Sequence, residues 1–209
     1  MNILIADDHP VVRQGIKLIV ENEAGFHVDG EARSGQETIK LVRERAWSVV
    51  ILDINLPDQS GLDVLQEIKR IRPGQPVLML SILPESSVAV RALKAGADGY
   101  LNKESVPEEL LRAVRKVASG GKYISADLAE SLASSVGGRS RDMPHDLLSD
   151  REYQVMCQLA AGKSVSQIAL ALNRSVNTVS TYRTRILLKM GMSSNADLTQ
   201  YAIHNQLLP

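Results

Sequence analysis

Short, almost wholly apolar segments alternate with helical patterns through the first 120 residues of the chain. Residues 2–7, 49–54 and 77–82 are near-continuous apolar runs, and weaker ones lie at 26–31 and 98–102. Such runs are typical of strands buried on both faces. Between them, apolar residues recur at helical spacing at 11–20, 36–46, 62–68, about 85–95 and 106–119. Strands that alternate with helices pair in parallel, so we predict an α/β fold with a five-stranded, doubly wound parallel sheet.

The rest of the chain has no strand pattern and predicts a small all-α domain. Ser149 with Glu152, and Ser164 with Gln167, have the spacing of capping boxes. Before them lies a Gly-, Ser- and Pro-containing stretch without apolar periodicity, typical of a linker. The predicted divisions are residues 1–122 for the α/β domain, 123–146 for a linker with a short helix at Ala126–Val136, and 147–209 for the helical domain.

Composition narrows the class of protein. The longest apolar runs are about five residues, against roughly 20 for a membrane span, and the start MNILIADD has no basic segment of the kind that opens a signal peptide. Cys157 is the only cysteine, which excludes an internal disulfide and fits a reducing compartment. We therefore expect a cytoplasmic protein without a membrane partner.

Polar side chains stand at the carboxyl ends of the predicted strands, where ligands bind in open parallel sheets. These residues are Asp7, Asp8, Asp53, Ser81 and Lys103. Carboxylates that converge in one pocket repel unless a cation lies among them, and oxygen ligands suit Mg²⁺. With a lysine and a hydroxyl added, the pocket is matched to a phosphoryl group carried on a carboxylate. Asp53, on the middle strand, is the best candidate for that carboxylate.

A simpler interpretation exists for each residue alone. Asp7 and Asp8 could cap the helix that begins near His9, and a lysine after an edge strand usually faces solvent. The combination of these groups, each at its own strand end, favours a site.

The motifs ADD, LDINLPDQSG, LS and ADGYLNK in residues 1–120 resemble those of the receiver domain of two-component response regulators. The resemblance implies a flavodoxin-like fold and Asp53 as the phosphoryl acceptor. It implies Asp8 and Asp53 as direct Mg²⁺ ligands, Asp7 as a ligand through water, and the backbone carbonyl of Asn55 as a further ligand. Ser81 and Lys103 would contact the phosphoryl oxygens. Tyr100 would be an aromatic switch, although packing on a helix at the sheet edge explains it equally well.

Two positions depart from the common receiver pattern. Ile82 stands where many receivers have a small residue, and we expect its bulk to slow exchange of the phosphoryl group with small donors and water. Glu104 stands where many receivers have a cis proline, and a cis bond without proline costs about 3 kcal/mol or more. The sequence leaves the geometry of that bond open.

The helical domain contains a helix-turn-helix pattern. Its predicted parts are a scaffold helix at Val165–Leu172, a turn at 173–175 and a recognition helix at Val176–Met190. At 100° per residue, an apolar arc holds Val176, Val179, Ile186 and Met190. Candidates for reading base edges lie on the other side, and candidates for phosphate contacts surround them. The arc opposite the apolar one holds Asn177, Thr181, Thr184 and Leu188, flanked by Ser180 and Arg185, and its Asn and Arg are the candidates for base edges. The candidates for phosphate contacts are Ser180, Arg183, Lys189, Lys163 and Arg174.

A plain helical bundle is the alternative, since residues 148–209 carry six Lys and Arg against three Asp and Glu, which is a modest positive charge. The segment LSDREYQVMCQLAAGKSVSQIALALNRSVNTVSTYRTRILLKMGMSS, however, resembles the LuxR-type helix-turn-helix. With the receiver, the whole chain is similar to the NarL/FixJ family of response regulators.

The resemblance implies a transcription regulator controlled by a histidine kinase, which binds double-stranded DNA as a dimer when Asp53 is phosphorylated. The last helix, at about 195–205, is the implied dimer surface, although Leu198 and Tyr201 fit a core role slightly better. An aspartyl-phosphate phosphatase is a rival, but no insertion is long enough to build a substrate cap, so we expect no enzymatic turnover. A second rival is a regulator that uses the receiver only to dimerise.

Overall fold

The computed structural model describes residues 1–81, 85–103, 105, 107–125, 129, 143–172, 174–205 and 207–208. The chain divides into two compact units, Met1–Ser134 and Ser135–Pro209. Apart from Ala129, the predicted helix at 126–136 lies outside the described residues, as do Ile82, Glu104 and Asn173 of the predicted turn.

The first unit is built on a five-stranded sheet in the order β2-β1-β3-β4-β5, with every neighbouring pair parallel. The strands are β1 Asn2–Ala6, β2 His27–Ala32, β3 Val49–Asp53, β4 Val77–Ser81 and β5 Gly99–Asn102. Every residue of β3 and β4 is buried, which explains why these segments are apolar throughout. The predicted fold is confirmed. β1 and β3 end one residue earlier than predicted, at Ala6 and Asp53.

Helices cover both faces of this sheet. They are α1 Pro10–Glu21, α2 Gly35–Glu44, α3 Gly61–Ile71, α4 Glu85–Lys94 and α5 Pro107–Ala118. Ile3, Ile51 and Leu78 meet α1 and α5 in one core cluster. The alternate strand residues point to the other face, where α2 and α3 pack against each other.

Trp47 closes the end of this unit between α2 and β3. Its ring is buried, its indole Nε1 donates to the Leu41 carbonyl at 3.3 Å, and the Arg45 guanidinium lies 3.9 Å from the ring centroid. Gln75 bonds both the amide and the carbonyl of Trp47. Trp47 is therefore held through its indole by Leu41 of α2 and through its backbone by Gln75, in the segment before β4.

Tyr123, at the start of the predicted linker, belongs to the packing of the first unit. It forms a parallel bridge with Gly99 of β5 and packs against the core, and its hydroxyl donates to Glu109 of α5 at 3.0 Å.

The second unit is helical. Its elements are a 3₁₀ turn Pro144–Leu147, α6 Asp150–Ala160, α7 Val165–Ala171, α8 Val176–Met190 and α9 Asn195–His204. The two predicted capping boxes are present, and a third pairs Ser194 with Asp197. Gly162 at φ +83° and Gly191 at φ +65° follow α6 and α8, where left-handed backbone favours glycine.

Residues 144–146 of the 3₁₀ turn fall in the predicted linker. The turn was not predicted, because four residues are too few to give a periodic signal in the sequence. His145 Nδ1 in this turn lies 2.7 Å from the Tyr201 hydroxyl of α9. Among the described residues, no helix has the length and apolar character needed to cross a bilayer.

Candidate acidic site and helix-turn-helix face

The carboxyl edge of the sheet brings three aspartates together, as predicted. Asp7 and Asp8 follow β1, and Asp53 is the last residue of β3. One ligand atom from each, together with Nδ1 of His9, lie within 4.8 Å of one another. Asp7 and Asp53 are each 1% exposed, whereas the Asp8 side chain is 33% exposed and opens the cluster to solvent.

Lys103 joins the cluster from the end of β5. Its Nζ lies 2.6 Å from Asp7 Oδ2 and 2.7 Å from Asp53 Oδ2, and its backbone N–H donates to the Ser81 carbonyl at 2.8 Å. Burial favours the neutral amine, but the ion pairs with Asp53 and then Asp7 outweigh it and raise the pKa of Lys103. The lysine is therefore a partly buried cation between two carboxylates.

The charge on Asp53 is only partly compensated. Burial raises the pKa of Asp53, and the neighbouring charge of Asp7 adds to the rise. Lys103 and the Asn55 N–H, which donates to Asp53 Oδ1 at 3.1 Å, act in the opposite direction without cancelling it. The cluster therefore has a deficit of positive charge.

Two buried oxygens fit a bound cation. Asp8 Oδ1 and Asp53 Oδ2 accept no well-formed hydrogen bond from the part of the chain that the structure describes, although a nitrogen of His9 or Lys103 lies 2.7 Å from each. Buried carboxylate oxygens are normally hydrogen-bonded or bound to metal. Oxygen donors of this kind suit a hard divalent cation such as Mg²⁺.

The interpretation of Asp7 and Asp8 as helix caps does not describe the structure. The N-cap of α1 is His9, and its side chain makes no capping bond. Asp7 Oδ1 instead accepts from the His9 N–H at 2.8 Å, which holds the turn that carries the two carboxylates.

The loop after Asp53 returns sharply to α3. Asn55 and Ser60 form an antiparallel bridge, and the Gly61 N–H donates to the Ile54 carbonyl at 2.8 Å. A Cβ on Gly61 would lie 2.1 Å from the Asp53 carbonyl oxygen, so only glycine fits there.

Ser81 and Tyr100 are both fully buried, at 0% exposure. Ser81 ends β4, one residue beyond the partner of Asp53 in the sheet register. The inward position of Tyr100 is compatible with a packing role and with a switch.

The predicted base-reading face of α8 is exposed. Its residues Asn177, Ser180, Thr181, Thr184, Arg185 and Leu188 are all open to solvent, and Val179, Ile186 and Met190 are buried on the opposite side. The prediction for Val176 was wrong, because this residue is 48% exposed. It is the first residue of the helix, before the first full turn that packs on the domain.

The predicted phosphate contacts fall into two groups. Lys163 and Arg174 are exposed. Arg183 Nε donates to Asn195 Oδ1 at 2.7 Å, and Lys189 Nζ donates to Glu152 Oε2 at 2.6 Å. Arg183 is therefore bonded to α9, and Lys189 is bonded to α6.

Comparison with known proteins identifies the family. The model of the response regulator receiver domain matches residues 3–115, and that of the bacterial regulatory proteins of the luxR family matches residues 146–202. The response regulator UvrY of Escherichia coli K12 is 36% identical over 208 residues, which cover 99% of this chain and 95% of UvrY. The chain belongs to the NarL/FixJ family of response regulators. It is thus a DNA-binding transcription regulator with a LuxR-type helix-turn-helix.

Further relatives of this response regulator agree. GacA of Pseudomonas aeruginosa is 34% identical over 209 residues, covering 100% of this chain and 98% of GacA. RcsB of Salmonella enterica serovar Typhimurium, solved bound to the promoter rprA in the presence of the phosphomimetic BeF3-, has a TM-score of 0.65 and 27% identity, and the match covers 96% of this chain and 97% of that one. A LuxR-family regulator from Aurantimonas sp. SI85-9A1 has a TM-score of 0.62 and 31% identity, and the match covers 66% of this chain and 98% of that one.

Sequence reasoning about the response regulator missed three contributors. His9 was seen only as the start of a helix, although it directly follows Asp8. Asp58 was not singled out within the LDINLPDQSG motif, and Glu152 was recognised as part of a capping box but not as the partner of Lys189. The last two act across 22 or more residues of sequence, for which local patterns carry no signal.

Proposed function

We propose that this response regulator is switched by phosphorylation of Asp53. A sensor histidine kinase supplies the phosphoryl group. The observation that supports this is a buried aspartate at the end of the middle strand, with Lys103 Nζ 2.7 Å from its Oδ2. Asp8, Asp53 and the Asn55 carbonyl would hold Mg²⁺, with Asp7 acting through a water. Bound there, Mg²⁺ supplies the positive charge that the cluster lacks.

The transfer is a displacement at phosphorus. A carboxylate oxygen of Asp53 attacks, the phosphorus–nitrogen bond of a phosphohistidine breaks, and the electron pair stays on the imidazole nitrogen. The Lys103 ammonium and the Ser81 hydroxyl then face the phosphoryl oxygens. Fixed donors of this kind stabilise charge without reorganising. The residues act on their own phosphoryl group, so we expect no turnover of an external substrate.

Lys103 has to change partners in this step. In the structure it bridges Asp7 and Asp53, and a phosphoryl oxygen on Asp53 gives it a new anion. The backbone N–H of Lys103 donates to the Ser81 carbonyl, so a shift of Lys103 is coupled to the end of β4. Tyr100, on the neighbouring strand, is the side chain through which we expect this change to reach the surface.

We assign DNA contact to the exposed face of α8. Asn177, Thr181, Thr184 and Arg185 face the base edges, with Ser180, Lys163 and Arg174 near phosphates. Arg183 and Lys189 reach phosphates only by leaving Asn195 and Glu152. RcsB has been solved as two dimers bound to two parallel DNAs, which supports dimeric binding here, since each monomer offers few basic side chains to phosphates.

The last helix is the proposed dimer surface. Leu198 is fully buried in the helical unit, and the Tyr201 hydroxyl is taken up by His145. Ala196 and Ile203 remain on the exposed side of α9. We propose that the contact uses these two residues.

The test is DNA binding by the full chain, with and without Mg²⁺ and a small phosphodonor, using fragmented genomic DNA. We expect the donor to tighten binding to a few fragments and Asp53→Asn to abolish that gain. Equal binding in all cases would instead favour a regulator whose receiver only dimerises. An absence of any binding would contradict the assignment of the α8 face.

A further inference from the structure

The loop between β3 and α3 carries Asn55 and is pinned at its far end by a neighbouring helix. Its neck is closed by the Asn55–Ser60 bridge. At its tip, the Asp58 carboxylate reaches α2. Oδ1 accepts from the Gly35 N–H at 2.8 Å, and Oδ2 accepts from the Gln36 N–H at 2.9 Å.

These two N–H groups are the first of α2 and have no partner within the helix, as at every helix start. The helix has its own cap, Ser34, whose hydroxyl oxygen accepts from the Glu37 N–H at 3.2 Å and whose carbonyl accepts from the Thr38 N–H at 3.0 Å. Ser34 and Asp58 thus divide the four amides between them. Only the contribution of Asp58 ties the helix to the loop.

Gly35 provides a second, independent sign of this contact. A Cβ at Gly35 would lie 2.6 Å from Gln59 Cγ and 2.7 Å from Val64 Cγ2. The loop tip and the start of α3 therefore approach the α2 backbone at a distance that only glycine allows. Two features of the sequence, a glycine at the helix start and an aspartate 23 residues later, serve one contact.

The negative charge of Asp58 is stabilised by the N-terminus of α2. Burial opposes ionisation, but the N–H groups of Gly35 and Gln36 lower the pKa of Asp58. A carboxylate is also favoured by the positive end of the helix dipole. A fourth aspartate near the acidic cluster thus faces α2 and does not add to the repulsion around Asp53.

We propose that Asp58 is a positioning residue for the acidic site: by clamping the 54–60 loop onto the start of α2, it fixes the Asn55 carbonyl relative to Asp53. This inference rests on the proposed function of that site in binding Mg²⁺. Groups that orient metal ligands from behind typically change metal affinity by roughly 10–100-fold when removed.

The decisive comparison is Asp58→Ala with Ser34→Ala in the full chain. Both variants remove a cap of α2 and should lower stability by a similar amount, but only Asp58→Ala releases the loop. We expect Mg²⁺ affinity, measured by calorimetry, to fall roughly tenfold for Asp58→Ala and to stay near wild type for Ser34→Ala. Asp58→Asn keeps one acceptor oxygen and should restore part of the affinity.

Hydrogen exchange without Mg²⁺ gives an independent readout. The amides of Asn55 and Gly61 should exchange faster in Asp58→Ala than in Ser34→Ala. Equal exchange in the two variants, or equal Mg²⁺ affinity, would overturn the clamp. A wild-type chain that binds no Mg²⁺ would refute the proposed metal site, and the exchange comparison would still decide whether the clamp exists.

Discussion

At Asp53, folding places a carboxylate out of reach of water beside a second carboxylate. A carboxyl group whose pKa is raised by folding destabilises the native state once pH rises through that raised pKa. The pKa of Asp53 is raised, with burial as the largest cause. The proposed phosphoryl acceptor is therefore held at a cost in stability, which is common at functional sites.

We predict that Asp53→Asn raises the thermal stability of the Mg²⁺-free protein at neutral pH, because it removes a buried charge and leaves Lys103 paired with Asp7. Adding Mg²⁺ should shrink the difference, since a ligand that binds only wild type stabilises only wild type. Thermal unfolding with chelator and with excess Mg²⁺ measures both effects. A lower melting temperature for Asp53→Asn in chelator would contradict the charge imbalance described here.

Glu152 shows the opposite electrostatic situation. Burial disfavours its charge, but the hydrogen bonds from Lys189 and Ser149 outweigh it and lower the pKa of Glu152. A carboxylate with a lowered pKa contributes stability above its unfolded value, which is near 4.5 here, and loses it as pH falls through the folded value. The ion pair joins α6 to the last turn of α8.

We predict that Glu152→Gln destabilises the helical unit by about 1–2 kcal/mol at pH 7, a buried-pair value reduced because Lys189 is partly exposed. The difference should begin to shrink as pH falls below the unfolded value, and the variant and wild type should converge once pH lies below the lowered folded pKa of Glu152. Hydrogen exchange of α8 peptides across pH measures this. A gap that persists at low pH would mean that the pair contributes little.

DNA affinity separates two roles for Lys189. If the lysine contacts phosphate, Glu152→Gln frees it and tightens binding. If it anchors α8, the same change weakens binding. We expect binding to weaken, as measured by titration of a bound DNA fragment. Lys163→Met is the control: it removes a proposed phosphate contact and should lower the slope of log affinity against log salt concentration by about 1.

At the scale of elements, the recognition helix is poor in free cations. Arg183 and Lys189 are bound within the domain, and Leu188, 81% exposed, lies among the polar residues of the reading face. An apolar side chain there fits a thymine methyl group better than a phosphate.

We predict that Leu188→Lys tightens binding to all DNA fragments and steepens the salt dependence by about 1, with little change in stability because the residue is exposed. Leu170→Lys on α7, at 85% exposure, is the matched control and should have a smaller effect. Equal effects of the two variants would show that general charge, rather than position on α8, controls binding.

The same scale shows what sequence could predict. The buried strands and the capping boxes of Ser149 and Ser164 depend on neighbours within a few residues, so their patterns were sufficient. Strand ends also brought Asp53 and Lys103 together, because parallel strands share one edge. The partners of Lys189 and Asp58 were not predictable, since those contacts depend on how whole helices pack. Val176 is exposed although it lies on the apolar arc, because helical angle alone ignores that this residue begins α8.

Across the whole molecule, positive and negative charges balance, with 24 of each. Attraction to DNA therefore comes from a few local cations in the helical unit. We predict that DNA affinity without phosphodonor is weak and only modestly salt-dependent, and that the donor makes it depend on protein concentration, as dimer formation requires. Sedimentation alongside DNA titration checks this. A gain in affinity without any change in mass would contradict dimerisation.

Trp47 is the single tryptophan of the chain, whereas the five tyrosines are divided between the two units. Selective excitation of tryptophan therefore produces emission from the receiver and not from the DNA-binding unit. Coupling between two sites is reciprocal: if phosphate on Asp53 tightens the grip on DNA, DNA must favour the phosphorylated receiver by the same factor. A shift in Trp47 emission when unlabelled DNA is added would report this reverse coupling from the receiver.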